Sequence, residues 1–412
     1  MTRICMVAHS YYYRDARIRR YAESLAGAGV HVDVLCLSDR SRPTTHSQGP
    51  VKLFQIPLGR IANGFGGYIL EYAAALFLFS ARLLELHIRN HYDAIHVHNV
   101  PDFLILTCLI PRFLRAKLIL DIHDPMPELY MSKFRLRGSS VIVKIVQIQE
   151  RLSALLAHKV IAASMEFKKN ISGRGTPAGK ISVINNFPDP GIFDPAAYDG
   201  DSRHRKEHFT LVYPGTIAPR YGLDVAIRAM PGLVQEIPEL RLVVIGRQGK
   251  YASELAALAT DLGVSESVIF KPSVPVELVP AEIASADVGI YPALPDPHMR
   301  IAMPVKVLEY AVMGIPIVAS RLMVLQDRFD DSAVLFFDPG NVAQFTRCIT
   351  DLYGSPVLRA KLAGNARSIV TRTCRWETER QVYFDLLNLL LGPRHSIPAS
   401  RNEHGGLNTG AT

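Results

Sequence analysis

Short apolar runs alternate with longer stretches of helical periodicity along most of the chain. Arg3–Ala8 is apolar after its first residue and predicts a buried strand. Asp15–Ala28 repeats apolar positions at helical spacing and stops at Gly29, and Val30–Leu37 is apolar again. The alternation continues through a strand at Val51–Pro57, a long apolar helix at Tyr68–Ile88, a strand at Ala94–His98 and a helix at Asp102–Leu114. A strand at Lys117–Ile122, a helix at Val141–Ala157 and a strand at Lys159–Ala163 follow. Strands that are apolar throughout, not at every second residue, belong to parallel sheets covered on both faces.

The rhythm breaks at residues 185–208. Asn185-Asn186-Phe187-Pro188-Asp189-Pro190-Gly191 is turn chemistry, and Asp199–His208 is almost wholly polar. It then restarts, with strands expected at Thr210–Tyr213, Leu240–Ile245, Val268–Lys271, Asp287–Tyr291 and Ile317–Ala319 and helices between them. The prediction is an α/β chain of two Rossmann-like, doubly wound domains, residues 1–190 and 209–375, joined by a linker at 191–208. An amphipathic helix at Trp376–Leu391 and a disordered polar tail at 392–412 complete it. Two such sheets create a cleft between their C-terminal edges, where ligands of open parallel sheets bind.

Charge divides this picture unevenly. Residues 1–200 hold 24 basic and 16 acidic side chains, whereas residues 201–412 hold 22 of each, so the formal excess of +8 lies in the first half. No Lys/Arg run interleaved with aromatics accompanies it, so nucleic acid is not an expected partner. Five scattered cysteines without a Cys-x-x-Cys predict neither disulfides nor a thiolate metal site and suit a reducing cytoplasm. Met1–His9 has no apolar core of signal-peptide length, and Ile61–Ala81, the longest apolar candidate for a membrane span, is interrupted by Glu71.

Three segments carry candidate chemistry. In Pro304-Val305-Lys306-Val307-Leu308-Glu309-Tyr310-Ala311-Val312-Met313-Gly314, a carboxylate sits inside an apolar helix. Ribose hydroxyls would satisfy Glu309; solvent or an arginine would do so equally well. The strand Leu118–Ile122 ends in a cluster of Asp121, His123, Asp124 and Glu128, in which His123 could donate hydrogen bonds or move protons. A metal site or a satisfied loop network is the alternative, although the spacing matches no zinc motif. His98 ends the preceding strand, where a lone histidine is more often structural. In Tyr213-Pro214-Gly215-Thr216-Ile217-Ala218-Pro219-Arg220-Tyr221-Gly222, loop amides, a helix N-terminus and Arg220 together could hold a diphosphate. Gly246-Arg247-Gln248-Gly249 repeats that pattern after the next strand.

In their order along one chain these segments resemble glycosyltransferase family 4, retaining enzymes of the GT-B fold that use nucleotide-sugars. Asp15–Arg20, Tyr92–Asn99, Asp121–Asp124, Ile184–Phe193, Leu242–Gly246, Ala286–Pro292 and Trp376-Glu377 all contribute to the likeness. The resemblance implies that the Trp376 helix crosses back to the N-terminal domain. It makes Glu309 the second carboxylate of a Glu-x7-Glu motif that binds ribose, and His123 the cleft histidine at the donor sugar. Arg220 and Lys306 would neutralise the diphosphate, with Gly215, Thr216, Gly246, Lys271 and Pro304 completing the donor site. Two positions depart from the pattern. Ile301 stands where the first Glu is expected, with the loop Asp296–Arg300 as the expected source of a replacement contact. Thr216 and Tyr221 stand at places where the family often has Arg and Lys.

The implied reaction moves a sugar from a UDP- or GDP-linked donor to a lipid-linked or oligosaccharide acceptor, with retained configuration and no metal. A nucleotide-sugar 2-epimerase and a non-catalytic nucleotide-sugar-binding subunit are the alternatives. The expected location is cytoplasmic, peripheral on an anionic membrane. The helix Tyr68–Ile88 is expected to pack on the N-terminal sheet; the alternative is that part of its face, with Phe77, Leu78 and Phe79, touches the bilayer, helped by Arg17, Arg19, Arg20, Lys133, Arg135 and Arg137.

Overall fold

The structure is a computed structural model and describes residues 1–38, 45–58, 64–198, 207–395 and 397–398 of the chain. Among them, the first half forms β1 (Arg3–Ala8), β2 (His31–Leu37), β3 (Thr45–Gln48), β4 (Val51–Ile56), β5 (Ala94–His98), β6 (Lys117–Ile122), β7 (Lys159–Ala162) and β8 (Ile181–Val183). They make one eight-stranded sheet in the order β3-β4-β2-β1-β5-β6-β7-β8. Neighbours are parallel except at the edge, where β3 runs antiparallel to β4, a departure from the all-parallel expectation.

Alternate side chains of β1 serve two cores, which is why the strand is apolar at every position. Cys5 and Val7 pack under the helix Gly64–Asn90. Ile4, Met6 and Ala8 pack under the helices Ala16–Gly27 and Trp376–Leu391.

The second half forms β9 (Phe209–Pro214), β10 (Leu240–Ile245), β11 (Val268–Lys271), β12 (Val288–Tyr291), β13 (Ile317–Ser320) and β14 (Leu335–Phe337). Their order is β11-β10-β9-β12-β13-β14. Each sheet therefore reverses its winding once, between β1 and β5 and between β9 and β12, and crevices for ligands open at such points.

The core changes hands just before the expected linker, so the first domain ends a few residues earlier than residue 190. Ile184 packs with the first sheet, whereas Phe187 and Phe193 pack with the second. The remainder of that linker, residues 199–206, lies outside the described residues. The C-terminal helix returns to the first domain, where the Tyr383 hydroxyl lies 2.8 Å from His96 Nδ1. Trp376 Nε1 donates to Ser24 Oγ at 3.2 Å, and the Glu379 carboxylate accepts from the Asn185 amide and side chain.

The expectation of disorder from residue 392 onward is wrong for its first residues. Pro393–His395 form a helical turn. Ile397 is 2% exposed, and its amide donates to Asn388 Oδ1 at 2.7 Å, so burial and one hydrogen bond hold Ile397 against the helix. Residues 399–412 lie outside the described residues.

Candidate active site between the two sheets

The C-terminal edges of the two sheets face a shared cavity of about 1030 Å³. The first domain contributes His123 and Asp124 from the end of β6. Asn99, at the end of β5, sets their backbone. Its side-chain oxygen accepts from the amides of His123 and Asp124 at 3.1 and 3.3 Å, and its Nδ2 donates to Asp124 O at 2.7 Å. His123 Nδ1 lies 3.8 Å from the Asp121 carboxylate beneath it, and the imidazole keeps 17% exposure toward the cavity.

The second domain supplies the floor. After β9 the chain turns at Gly215, whose φ of +142° belongs to glycine. A Cβ on Gly246 would sit 2.2 Å from the Gly215 carbonyl, so the loops after β9 and β10 approach this closely only because Gly246 lacks a side chain. Gly215, Thr216, Gly246 and Arg247 all line the cavity, as do Pro304, Lys306 and Glu309 from the start of the helix Val305–Met313.

Lys306 is held in an aromatic cage. Its Nζ donates to the Tyr213 hydroxyl at 2.7 Å and lies 3.9, 4.5 and 5.6 Å from the ring centres of Tyr213, Tyr221 and Tyr291. Tyr213 and Tyr291 come from β9 and β12, the two strands that flank the winding reversal. The ammonium is thus centred on the switch point and pressed against Gly215, where a Cβ would come within 2.6 Å of it. Desolvation pushes the Lys306 ammonium down to about 7, against the pull of Glu309 and with the help of Arg220. Desolvation likewise pushes the Glu309 carboxyl up to about 7, against Lys306 and Arg20.

Two expected donor-site residues do not reach the cavity. In the turn Pro219–Tyr221, closed by Gly222 at φ +62°, Tyr221 points into the cleft and Arg220 points away from it. The Arg220 Nη1 lies 3.4 Å from Ser132 Oγ, which in turn donates to Asp296 Oδ2 at 2.5 Å. Arg220 therefore bridges the domains and acts on the site only through its field. Lys271 pairs with Glu282 at 2.7 Å and takes no part in the lining; its carbonyl, accepting from Gly246 N, supports the loop instead.

The loop Asp296–Arg300 supplies a histidine, not an acid. Asp296 caps its own loop through the amides of His298 and Met299, whereas His298 lines the cavity. Its Nε2 lies 3.5 Å from Asp124 across the cleft, and burial holds the imidazole below its ordinary range. Ile301 also lines the cavity and packs against the core of the first domain.

His98 is structural. It is 1% exposed and its Nδ1 lies 3.3 Å from Asp121. His96, His98 and Asp121 are close enough to share a cation, but the Arg17 guanidinium already binds both oxygens of Asp121, at 2.8 and 3.0 Å.

Two family profiles divide the chain between the two sheets. Residues 16–191 match Glycosyltransferase Family 4 and residues 196–369 match Glycosyl transferases group 1. The chain belongs to the family 4, group 1 glycosyltransferases. Among its relatives is a GDP-mannose-dependent alpha-(1-6)-phosphatidylinositol monomannoside mannosyltransferase of Mycolicibacterium smegmatis, 30% identical over 51% of this chain and 57% of the relative. In the GDP-mannose-dependent relatives of this kind the chain spans about half of the relative's length. A D-inositol 3-phosphate glycosyltransferase of Thermomonospora curvata is 24% identical over 92% of this chain and 90% of its own. The fold matches that of sucrose-phosphate synthase from Thermosynechococcus elongatus, with a TM-score of 0.76 at 17% identity, over 95% of this chain and 99% of the other.

If the diphosphate meets Lys306 and the ribose meets Glu309, as the resemblance implies, the opposed shifts of the two groups should give nucleotide binding a pH optimum. Above about pH 7 the lysine would lose the charge that attracts the diphosphate. Below about pH 7 the glutamate would lose the charge that accepts from a ribose hydroxyl. Calorimetric titration with a nucleoside diphosphate should give an affinity maximum near neutrality. Lys306→Gln should flatten the alkaline limb, and Glu309→Gln the acid limb.

Proposed function

We propose that the protein is a retaining, metal-independent glycosyltransferase that moves a sugar from a UDP- or GDP-linked donor to a lipid-linked or oligosaccharide acceptor at the cytoplasmic membrane face. The observation that carries this reading is the pairing of Lys306 and Glu309, one helical turn apart, with two glycine loops at the winding reversal of the second sheet. A diphosphate placed there meets the Lys306 ammonium, the free amides that open the helix Val305–Met313, and Arg247 from the next loop. Glu309 then lies within reach of ribose hydroxyls, and the sugar projects toward His123 and His298.

The bond that breaks joins the sugar's anomeric carbon to the diphosphate oxygen. The bonding pair leaves with the diphosphate, and Lys306 and the helix amides stabilise the charge that develops there. The acceptor hydroxyl adds to the anomeric carbon from the same face, and its proton passes to the departing phosphate oxygen. His123 and His298 approach the donor sugar from opposite domains, so both contacts form only when the cleft is closed and water excluded.

The phosphatidylinositol monomannoside mannosyltransferase among the relatives favours GDP-mannose as donor and an inositol lipid as acceptor, and the D-inositol 3-phosphate glycosyltransferase favours an inositol-containing acceptor. Ile301 argues against a 2-epimerase, because an apolar side chain replaces a carboxylate beside the sugar. The test is mass spectrometry of a nucleotide-sugar panel incubated with lipid acceptors, run beside Glu309→Ala. Transfer by the parent chain, lost with nucleotide affinity in the variant, supports the reading. Binding without transfer or hydrolysis overturns it in favour of a non-catalytic subunit.

A further inference from the structure

The first sheet carries an outer layer of helices whose solvent side is as apolar as its core side. In the helix Val141–Leu156, Val143, Val146 and Ala154 are buried, as an amphipathic helix requires. On the opposite side Val141, Ile145, Ile148, Leu152 and Leu155 recur every three or four residues and are 40–73% exposed. The neighbouring helix Leu109–Phe113 adds Ile110 and Phe113, the latter 84% exposed. The helix Gly64–Asn90 adds Leu70, Phe77 and Ile88. A soluble surface does not ordinarily gather this many apolar side chains on adjacent helices.

Along the segment that holds the two outermost helices the exposed charge has one sign, and a carboxylate nearby on the helix Gly64–Asn90, Glu85, is paired with Arg82 and Arg89. Between residues 101 and 160 every exposed charged side chain outside the cleft is basic: Arg115, Lys133, Arg135, Arg137, Lys144 and Arg151. The carboxylates of the same segment are withdrawn: Asp102, Asp121, Glu128 and Glu150 are buried, and Asp124 faces the cleft. Glu128 and Glu150 are moreover neutralised by Arg174, at 2.7 Å each.

We infer that the outer face of the helices Val141–Leu156 and Leu109–Phe113 docks on an anionic lipid bilayer. Apolar side chains enter the headgroup boundary while the flanking cations meet lipid phosphates. A second copy of the chain fits less well, because a two-fold contact through this face would oppose six cations to six. The parallel winding also orients the surface usefully. β6 ends at the cleft, so the helix that begins at Val141 starts on the cleft side, with Lys133, Arg135 and Arg137 just before it. A lipid held there lies beside the acceptor half of the site; in this respect the inference rests on the lipid-acceptor reading above.

This surface replaces most of the membrane contact that the sequence offered as the alternative to packing on the sheet. Phe77 is exposed, but Phe79 is fully buried. Arg17 and Arg20 are 3% and 4% exposed, and Arg19 is taken by Glu277. Lys133, Arg135 and Arg137 are exposed.

The experiment is sedimentation of the full chain with vesicles of phosphatidylcholine, with and without phosphatidylglycerol, at low and high salt. Two variants accompany it, Lys144→Gln/Arg151→Gln and Ile145→Ser/Ile148→Ser. The parent chain should pellet with the anionic vesicles at low salt. Loss of the two cations should lower the partition coefficient about thirtyfold, and loss of the two isoleucines should abolish pelleting. All four residues are exposed, so nucleotide binding by calorimetry should be unchanged in both variants and reports a native fold. Failure of the parent to bind anionic vesicles, or equal binding by the variants, overturns the inference. So does a dimer in sedimentation velocity that the isoleucine variant dissolves. Nucleotide binding and transfer to a detergent-dispersed acceptor are read separately, so a wrong surface and a wrong reaction give different results.

Discussion

Replacing Lys306 by alanine should lower kcat/KM for glycosyl transfer by about 10²–10³-fold while leaving the melting temperature unchanged or slightly raised. The two halves of that expectation have one cause. An ammonium among the rings of Tyr213, Tyr221 and Tyr291 has exchanged water for a single hydroxyl acceptor and three π faces. Its depressed pKa follows from desolvation outweighing the attraction of Glu309. A lysine retained for stability would show the opposite sign on removal. A diphosphate restores the missing counter-charge, and the developing charge of the leaving group restores more of it, so the loss should fall mainly on kcat. Lys306→Arg should not rescue transfer. Nζ already lies where a Gly215 Cβ would be 2.6 Å away, and the larger guanidinium has no room to occupy the same place. Initial-rate kinetics of donor consumption, with thermal melting of the same preparations, checks all three statements.

The architecture was legible in the sequence because buried parallel strands advertise themselves. Arg3–Ala8, Ala94–His98, Lys117–Ile122, Leu240–Ile245 and Val268–Lys271 were read with their observed boundaries. The short edge strands were not. Thr45–Gln48 and Ile181–Val183 are too short and too polar to stand out from a loop. The helix Met126–Phe134 has no counterpart among the elements expected from the sequence, because it is short and opens at Pro125 and Pro127, although proline suits a helix start.

Within the site, legibility followed sequence distance. Glu309 and Lys306 share one helix, and their spacing alone places both at its start. The tyrosine cage draws on β9, the following turn and β12, and nothing local in Tyr213, Tyr221 or Tyr291 says that their rings meet. Arg220 was misplaced for a related reason. In a tight turn adjacent residues point in different directions, and a one-residue offset from the family pattern sends the cation out of the cleft and the tyrosine into it. His298 left only a weak trace, the missing carboxylate at 301 beside a loop that contains a histidine.

The basic surplus of the first half also needs dividing. Some of it is internal. Arg17 and Arg20 are buried, and Arg174 serves two carboxylates. What remains exposed is concentrated where the apolar helices face outward. A net charge counted along the chain does not separate cations that hold a core together from cations available to a partner; only burial does.

Arg17 is the clearest of the internal cations, and Arg17→Ala should destabilise the first domain by about 3–5 kcal/mol, or roughly 10 °C in its thermal transition. Its Nε and Nη2 bind the two oxygens of Asp121 at 2.8 and 3.0 Å, Nη2 also donates to the Ile184 carbonyl at 3.1 Å, and the guanidinium lies 5.1 Å over the Tyr21 ring. Asp121 is fully buried. Burial by itself would raise its pKa, but Arg17, His98 and His123 hold the carboxyl well below its ordinary range. A carboxylate held low contributes stability that is present above its unfolded pKa and lost as pH falls through the folded value. Without Arg17 the buried carboxylate has no counter-charge and takes up a proton at higher pH. The deficit of Arg17→Ala against the parent chain should therefore be largest at neutral pH and shrink toward acid. The double variant Arg17→Met/Asp121→Leu removes both charges and should recover most of the stability, because the cost of the single change is the unpaired charge and not the absent contact. Calorimetric scans of the three proteins across that pH range decide the matter. A deficit independent of pH, or a double variant no more stable than the single one, would assign Arg17 a packing role instead of an electrostatic one.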